Sequence, residues 1–132
     1  MKIERFEDIN AWKEARDLTR TIYSFTAEGR FNSDFGLRGQ IQRAAISIMS
    51  NIAEGFEVSS DRDFARYLCY AKGSASEVQS HLYGALDLEY IRKLQFDESY
   101  LLCDKIKNLL GGFIGYLKAD RSISDKKKDS SD

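Results

Sequence analysis

The 132-residue chain carries 20 Lys and Arg against 21 Asp and Glu, 42% hydrophobic residues, two cysteines and no proline. At ~100–200 residues per domain this is one domain with enough apolar content for a core, and a net charge of -1 removes the simplest argument for nucleic-acid binding. The composition also excludes collagen-like, disulfide-framework and mucin-like chains, while the missing prolines point to long uninterrupted helices.

The first segment runs from about Asp8 to Glu28, with Ile9, Trp12, Ala15, Leu18, Ile22 and Phe25 recurring at the helical period. Asp8 is the expected N-cap and Gly29 the left-handed stop. A linker, Gly29 to Ser33, leads to Asp34, which is placed to start the second segment, Asp34 to Glu54. There Leu37, Ile41, Ala45, Ile48 and Ile52 form one stripe. Ile46, Met49, Ala53 and Phe56 fall beside it, widening the apolar sector to roughly 160° at ~100° per residue. Such width predicts burial on two sides, with Gly55 as the stop. The remaining polar strip holds Arg43, Ser47, Ser50 and Glu54, with Asn51 at its edge.

Ser60 and Asp63 have the spacing of a capping box at the start of the third segment. Phe64, Leu68, Ala71, Ala75, Val78, Leu82 and Ala85 then step 4-3-4-3-4-3, a heptad seam whose alanines admit a neighbouring helix at a shallow angle of ~20°. Gly73 costs roughly 1 kcal/mol relative to alanine, which a close backbone contact would justify. The fourth segment, about Asp97 to Ala119, places Leu102, Ile106, Leu109, Phe113 and Tyr116 at 4-3-4-3. Gly111, Gly112 and Gly115 within it point either to tight packing or to fraying.

Residues 120–132 hold a single branched apolar residue and are expected to be a disordered charged tail. The expected fold is therefore an all-α domain over residues 1–119, an antiparallel up-down-up-down four-helix bundle. The longest uncharged runs, Ala44 to Ala53 and Asn108 to Leu117, fall short of the ~20 apolar residues that cross a bilayer. With no apolar signal core at the N-terminus, a cytoplasmic chain without a membrane segment is expected. Cys69 and Cys103 lack metal or redox spacing and are expected as buried, reduced thiols. His81 has no catalytic or metal-binding neighbours in sequence and is expected at a surface or interface. No catalytic set, metal site or cofactor motif emerges, so an enzyme is not expected.

A set of residues across the chain resembles a known family. It comprises Phe6, Glu7, Asp8, Ile9, Trp12, Ala15, Arg16 and Leu18, then Phe35, Gly36 and Leu37, and the run from Gln40 to Gly55 that ends Ser50-Asn51-Ile52-Ala53-Glu54-Gly55. Phe64, Arg66, Leu68, Ala71-Lys72-Gly73-Ser74 and Glu77 continue it. Over about residues 3 to 117 the chain resembles the bacterial four-helix bundle proteins encoded by 23S rRNA intervening sequences, also grouped as a ribosomal protein family. The resemblance implies an up-down-up-down bundle, assembly into a homopentamer, and no known reaction. A related branch, the accessory variability determinant of diversity-generating retroelements, is a strongly basic pentamer that binds its reverse transcriptase and nucleic acid. This chain departs from that branch in its near-neutral charge, and from the family in carrying Met49 where proline is common.

The polar strip supplies the candidate site. Arg43 and Glu54 stand eleven residues apart, about 16 Å along a helix, so each needs another partner. One expectation is a hydrogen-bonded network with Arg66, Lys72, Ser74 and Glu77 or with a neighbouring subunit. The other is a groove in which Arg43, Arg66 and Lys72 bond phosphate. Tyr67, Tyr70, Tyr83 and Phe56 lie off the heptad seams and suit a protein interface. Residues 74–104 carry two basic against six acidic groups and residues 105–132 seven against four, leaving the basic end of the fourth segment as a further phosphate-contacting candidate. The expected function is a non-enzymatic, oligomeric interaction or scaffold protein. The alternative is an RNA-binding or reverse-transcriptase-associated accessory protein.

Overall fold

The computed structural model describes residues 3–130, with side chains through residue 119. Among these residues there are helices and no strands: a single 3-10 turn, Phe6–Asp8, then α1 (Asn10–Thr26), α2 (Gly29–Ser33), α3 (Phe35–Glu57), α4 (Asp61–Asp87) and α5 (Lys93–Ser130). The tail expected over 120–132 lies outside the residues whose side chains are described.

Local chemistry sets most of the boundaries. Asp8 does not cap α1, because its carboxylate accepts from the backbone N–H groups of Glu4 and Arg5 and closes the 3-10 turn; Ile9 occupies the cap position instead. The Glu4 N–H is the main reason the Asp8 carboxyl titrates below its usual range. Gly29 takes φ +55° as expected, yet it opens the short α2 rather than an irregular linker. Asp34 caps α3 by accepting from the Leu37 N–H at 3.1 Å, and Ser60 caps α4 by accepting from Asp63 N–H at 3.2 Å. At the end of α4, Tyr90 N–H bonds Ala85 O and Glu89 N–H bonds Leu86 O, the paired closure of a Schellman turn. Glu89 makes it at φ 60°, a position that glycine ordinarily fills.

Gly55 does not stop its helix. It is buried inside α3, where a Cβ would stand 2.7 Å from Tyr67 Cβ and 3.0 Å from Phe64 Cδ1. Its missing side chain is what lets α3 close on α4. Gly73, by contrast, faces open space, so no backbone contact explains it. Gly112 and Gly115 are equally open, and Gly111 has only the Lys72 ammonium nearby; none of the three marks tight packing, and α5 continues through them as helix.

The core is one cluster to which every helix contributes. The α4 seam from Phe64 to Ala85 is buried throughout. On α5 the buried stripe is Phe96, Cys103, Ile106, Leu110, Ile114 and Leu117, displaced around the helix from the expected one, so Leu102, Leu109 and Phe113 only flank the core and Tyr116 is exposed. The contacts pair the long helices consistently. Thr26 meets Gln42 and Thr19 meets Met49 between α1 and α3. Gly55 meets Tyr67 and Gly84 faces Leu37 between α3 and α4. Phe64 meets Phe113 and Tyr83 meets Phe96 between α4 and α5, and Lys105 reaches Glu14 between α5 and α1. No helix of the described residues is long and apolar enough to cross a membrane.

Candidate functional site

The polar strip of α3 faces outward beside α4 and is tied together at its middle. Asn51 Nδ2 donates to Ser47 O at 2.8 Å and Ser47 Oγ at 3.0 Å. Ser74 Oγ then donates to Ser47 Oγ at 3.0 Å, linking α3 to α4. These three side chains satisfy one another, which is a fastening between helices more than an open binding site.

The remaining strip residues do not join that network. Arg43 is exposed and folds back along α3, its Nη1 3.1 Å from where a Cβ on Gly39 would stand. Arg66 stays on its own helix, pairing with Asp63 at 3.3 Å and lying 5.9 Å from the Tyr67 ring centroid. Lys72 turns toward α5, where its ammonium approaches Gly111. Glu54 and Glu77 are exposed and pair with no cation among the described residues. Measured from the Ser47–Ser74 contact, Arg43 is one turn toward one end and Arg66 two turns toward the other, about 18 Å apart along the axis at ~1.5 Å per residue. Arg43, Arg66 and Lys72 therefore do not converge on one phosphate.

A different surface draws residues from two helices into a groove. Between α1 and α3, Arg16, Thr19, Arg20 and Tyr23 face Ile46, Met49 and Ser50 across a shallow, widely open depression of about 550 Å3. Within the chain only one side of the wide α3 arc is covered: Ile46 is 41% exposed, because α1 covers the main stripe and stops short of it. Thr19 fastens the floor, its hydroxyl 2.8 Å from Ala15 O and 3.3 Å from Ala45 O. Ala45 O is the carbonyl that a proline at position 49 would deprive of its helical N–H. α3 runs unbroken through Met49. Sequence reasoning marked Ile46 and Met49 but missed Arg16, Arg20 and Tyr23, although their spacing of four and three puts them on one helical face. A larger open cleft, about 930 Å3, lies where the start of α1 meets α4 and α5, with Phe56, Phe64, Phe113 and Tyr116 among its lining.

Elsewhere, α4 and α5 share a buried polar link. Gln79 donates to Tyr100 O and to Asp104 Oδ1, while Lys107 Nζ donates to Gln79 Oε1. Cys103 is buried, and desolvation pushes its thiol up to about 12. Cys69 is exposed, contrary to expectation, since it lies next to the seam residue Leu68 and faces away from the core. Tyr70 and Tyr83 are exposed, and Tyr67 and Phe56 half-buried. His81 is half-buried, its Nε2 enclosed without a hydrogen-bond partner among the described residues. No group of three or more His, Cys, Asp or Glu side chains among those residues is placed to share a metal ion.

Comparison with solved structures finds a crystal structure of a protein of unknown function from the S23 ribosomal protein family of Bacteroides thetaiotaomicron VPI-5482. It superimposes with a TM-score of 0.72 at 26% identity, over 79% of this chain and 97% of the other. No curated protein matches the chain. The sequence pattern of the 23S rRNA-intervening sequence proteins matches residues 7–112, a span that runs from the 3-10 turn through α1, α3 and α4 into α5. The chain belongs to the 23S rRNA-intervening sequence protein family.

Proposed function

We propose that this chain is a non-enzymatic cytoplasmic scaffold or interaction protein, an antiparallel up-down-up-down four-helix bundle that works as a homopentamer. The helix pairings support the bundle: along α1/α3, α3/α4 and α4/α5, numbers rise on one helix as they fall on the other, as with Thr19–Met49 and Thr26–Gln42. The observation that carries the assembly is the α1/α3 groove, where Tyr23 and Ile46 stand exposed beside half-buried Met49. Apolar and aromatic side chains flanked by arginines are the composition of a protein interface. The internal satisfaction of Ser47, Asn51 and Ser74 favours a structural over a catalytic use of the polar strip. Light scattering tests the proposal, with an expected mass about five times the 15.1 kDa chain; a monomer at micromolar concentration refutes it.

The second reading is an RNA-binding or reverse-transcriptase-associated accessory protein. It draws on the family's description and on Arg43, which pairs with no carboxylate among the described residues. Binding to a 23S rRNA fragment should then weaken steeply with salt, with a slope that counts the phosphates contacted. No binding at low salt removes this reading.

A further inference from the structure

The α1/α3 groove has a counterpart elsewhere on the molecule. Leu94 and Leu101 are each 65% exposed on α5, and one heptad of separation leaves them within about 20° of each other around the helix. Glu98 lies between them on the same stripe and Asp97 beside it. Lys105 continues the stripe by one turn, its long side chain reaching Glu14 of α1 at 2.8 Å from the solvent-facing side of α5. The opposite side of α5 already fills the core with Phe96, Cys103, Ile106 and Leu110; the two leucines contribute nothing to that packing.

Groove and stripe are opposite in charge. The groove's α1 edge carries Arg16 and Arg20. Arg16 meets no carboxylate among the described residues, its guanidinium lying 5.9 Å from the Trp12 ring centroid, and Arg20 reaches only exposed Asp17 at 3.8 Å. On the stripe Asp97 is held by Lys93 at 2.6 Å, which leaves Glu98 as its unpaired charge among the described residues. An apolar surface edged with cations and an apolar stripe centred on a carboxylate are complementary in both hydrophobicity and sign.

We propose that the Leu94, Glu98 and Leu101 stripe of one copy seats in the α1/α3 groove of the next, with Glu98 meeting Arg16 and the two leucines covering Tyr23, Ile46 and Met49. The inference rests on the oligomeric reading above and names the two surfaces that make the contact. Since they are different surfaces, the contact is head-to-tail: each copy offers a groove to one neighbour and a stripe to the other. Repetition of such a contact closes a ring when the rotation between copies divides a full turn.

A mixing experiment tests this. Ile46→Lys blocks the groove and leaves the stripe intact; Leu101→Lys does the reverse. Both positions are exposed, and circular dichroism melts confirm that each variant folds. Each variant alone should scatter as a 15.1 kDa monomer, and an equimolar mixture should give about twice that mass and no more, because the pair contains one intact groove facing one intact stripe. A Leu101→Lys protein that keeps the native mass overturns the pairing while leaving assembly standing. An Ile46→Lys protein that keeps the native mass, or two monomeric variants that fail to combine, overturns it as well. A monomeric native chain removes assembly and this contact together.

Discussion

Replacing Gly55 with alanine probes the closest approach between α3 and α4. The added Cβ would stand 2.7 Å from Tyr67 Cβ and 3.0 Å from Phe64 Cδ1, whereas carbon pairs rest at about 3.5–4.0 Å. The helices must part by most of an ångström, because Tyr67 Cβ moves only with its backbone, and the Phe64 ring must shift as well against Phe56 and Phe113. Overpacking of this kind costs ~1–3 kcal/mol. Higher helix propensity and lower unfolded-state entropy for alanine return about 1 kcal/mol. The net expectation is a loss of roughly 0–2 kcal/mol, centred near 1. Gly73→Ala supplies the control, since nothing lies within 4 Å of its Cβ; it should gain about 0.5–1 kcal/mol. For a domain of this size ~1 kcal/mol moves Tm by roughly 3–6 °C, so the two substitutions should separate in opposite directions. Urea unfolding at one fixed chain concentration is the assay, because assembly couples to apparent stability. A Gly55→Ala protein as stable as Gly73→Ala refutes the close-approach account.

Glu89→Gly should stabilise the chain by about 0.5–1 kcal/mol, since a left-handed residue with a Cβ costs ~1–2 kcal/mol and glycine returns part of that to the unfolded state; an unchanged or lower Tm counts against strain in the α4–α5 turn. Asp34 accepts from the Leu37 N–H first and the Tyr90 hydroxyl second, and both hold its carboxyl below the ordinary value of 3.8. A depressed carboxylate stabilises the folded chain fully above its unfolded value and loses that contribution as pH falls through the folded one. Asp34→Ala should therefore be less stable than native at neutral pH, with the difference shrinking as melts are taken below pH 3.8; a constant difference would contradict the assignment. Ellman's reagent should modify Cys69 in the native chain and spare Cys103, whose thiol is buried and pushed up to about 12. Release of two equivalents before unfolding would show that the core around Cys103 opens.

Helical periodicity made the all-helical class, the α4 seam and the Asp34 and Ser60 caps legible without coordinates, because each depends on residues three or four apart along one chain. The motif run ending in Gly55 was equally legible as a family signature, but the role of its glycine was not. A glycine that ends a helix and one that admits a neighbouring helix look alike in sequence; the difference is the position of Tyr67, which belongs to another element. The α5 stripe was misplaced for a related reason. Leu102, Ile106, Leu109 and Phe113 make as good a heptad pattern as Cys103, Ile106, Leu110 and Ile114; Ile106 belongs to both and is buried, and only packing against α1 and α4 selects between faces a single residue apart.

The candidate site divides along the same line. Arg43, Ser47, Asn51 and Glu54 share a face by helical geometry alone, and the sequence determines that much. Whether Arg66 and Lys72 join them depends on how α4 is rotated against α3, and that rotation turns Ser74 toward Ser47 while sending Lys72 toward α5. The groove on the other side of α3 likewise needs Arg16 and Tyr23 from a helix more than twenty residues away in sequence. What one helix presents is written in its own period; which helices lie together, and which apolar side chains are left uncovered between them, is decided by the packing of the whole chain.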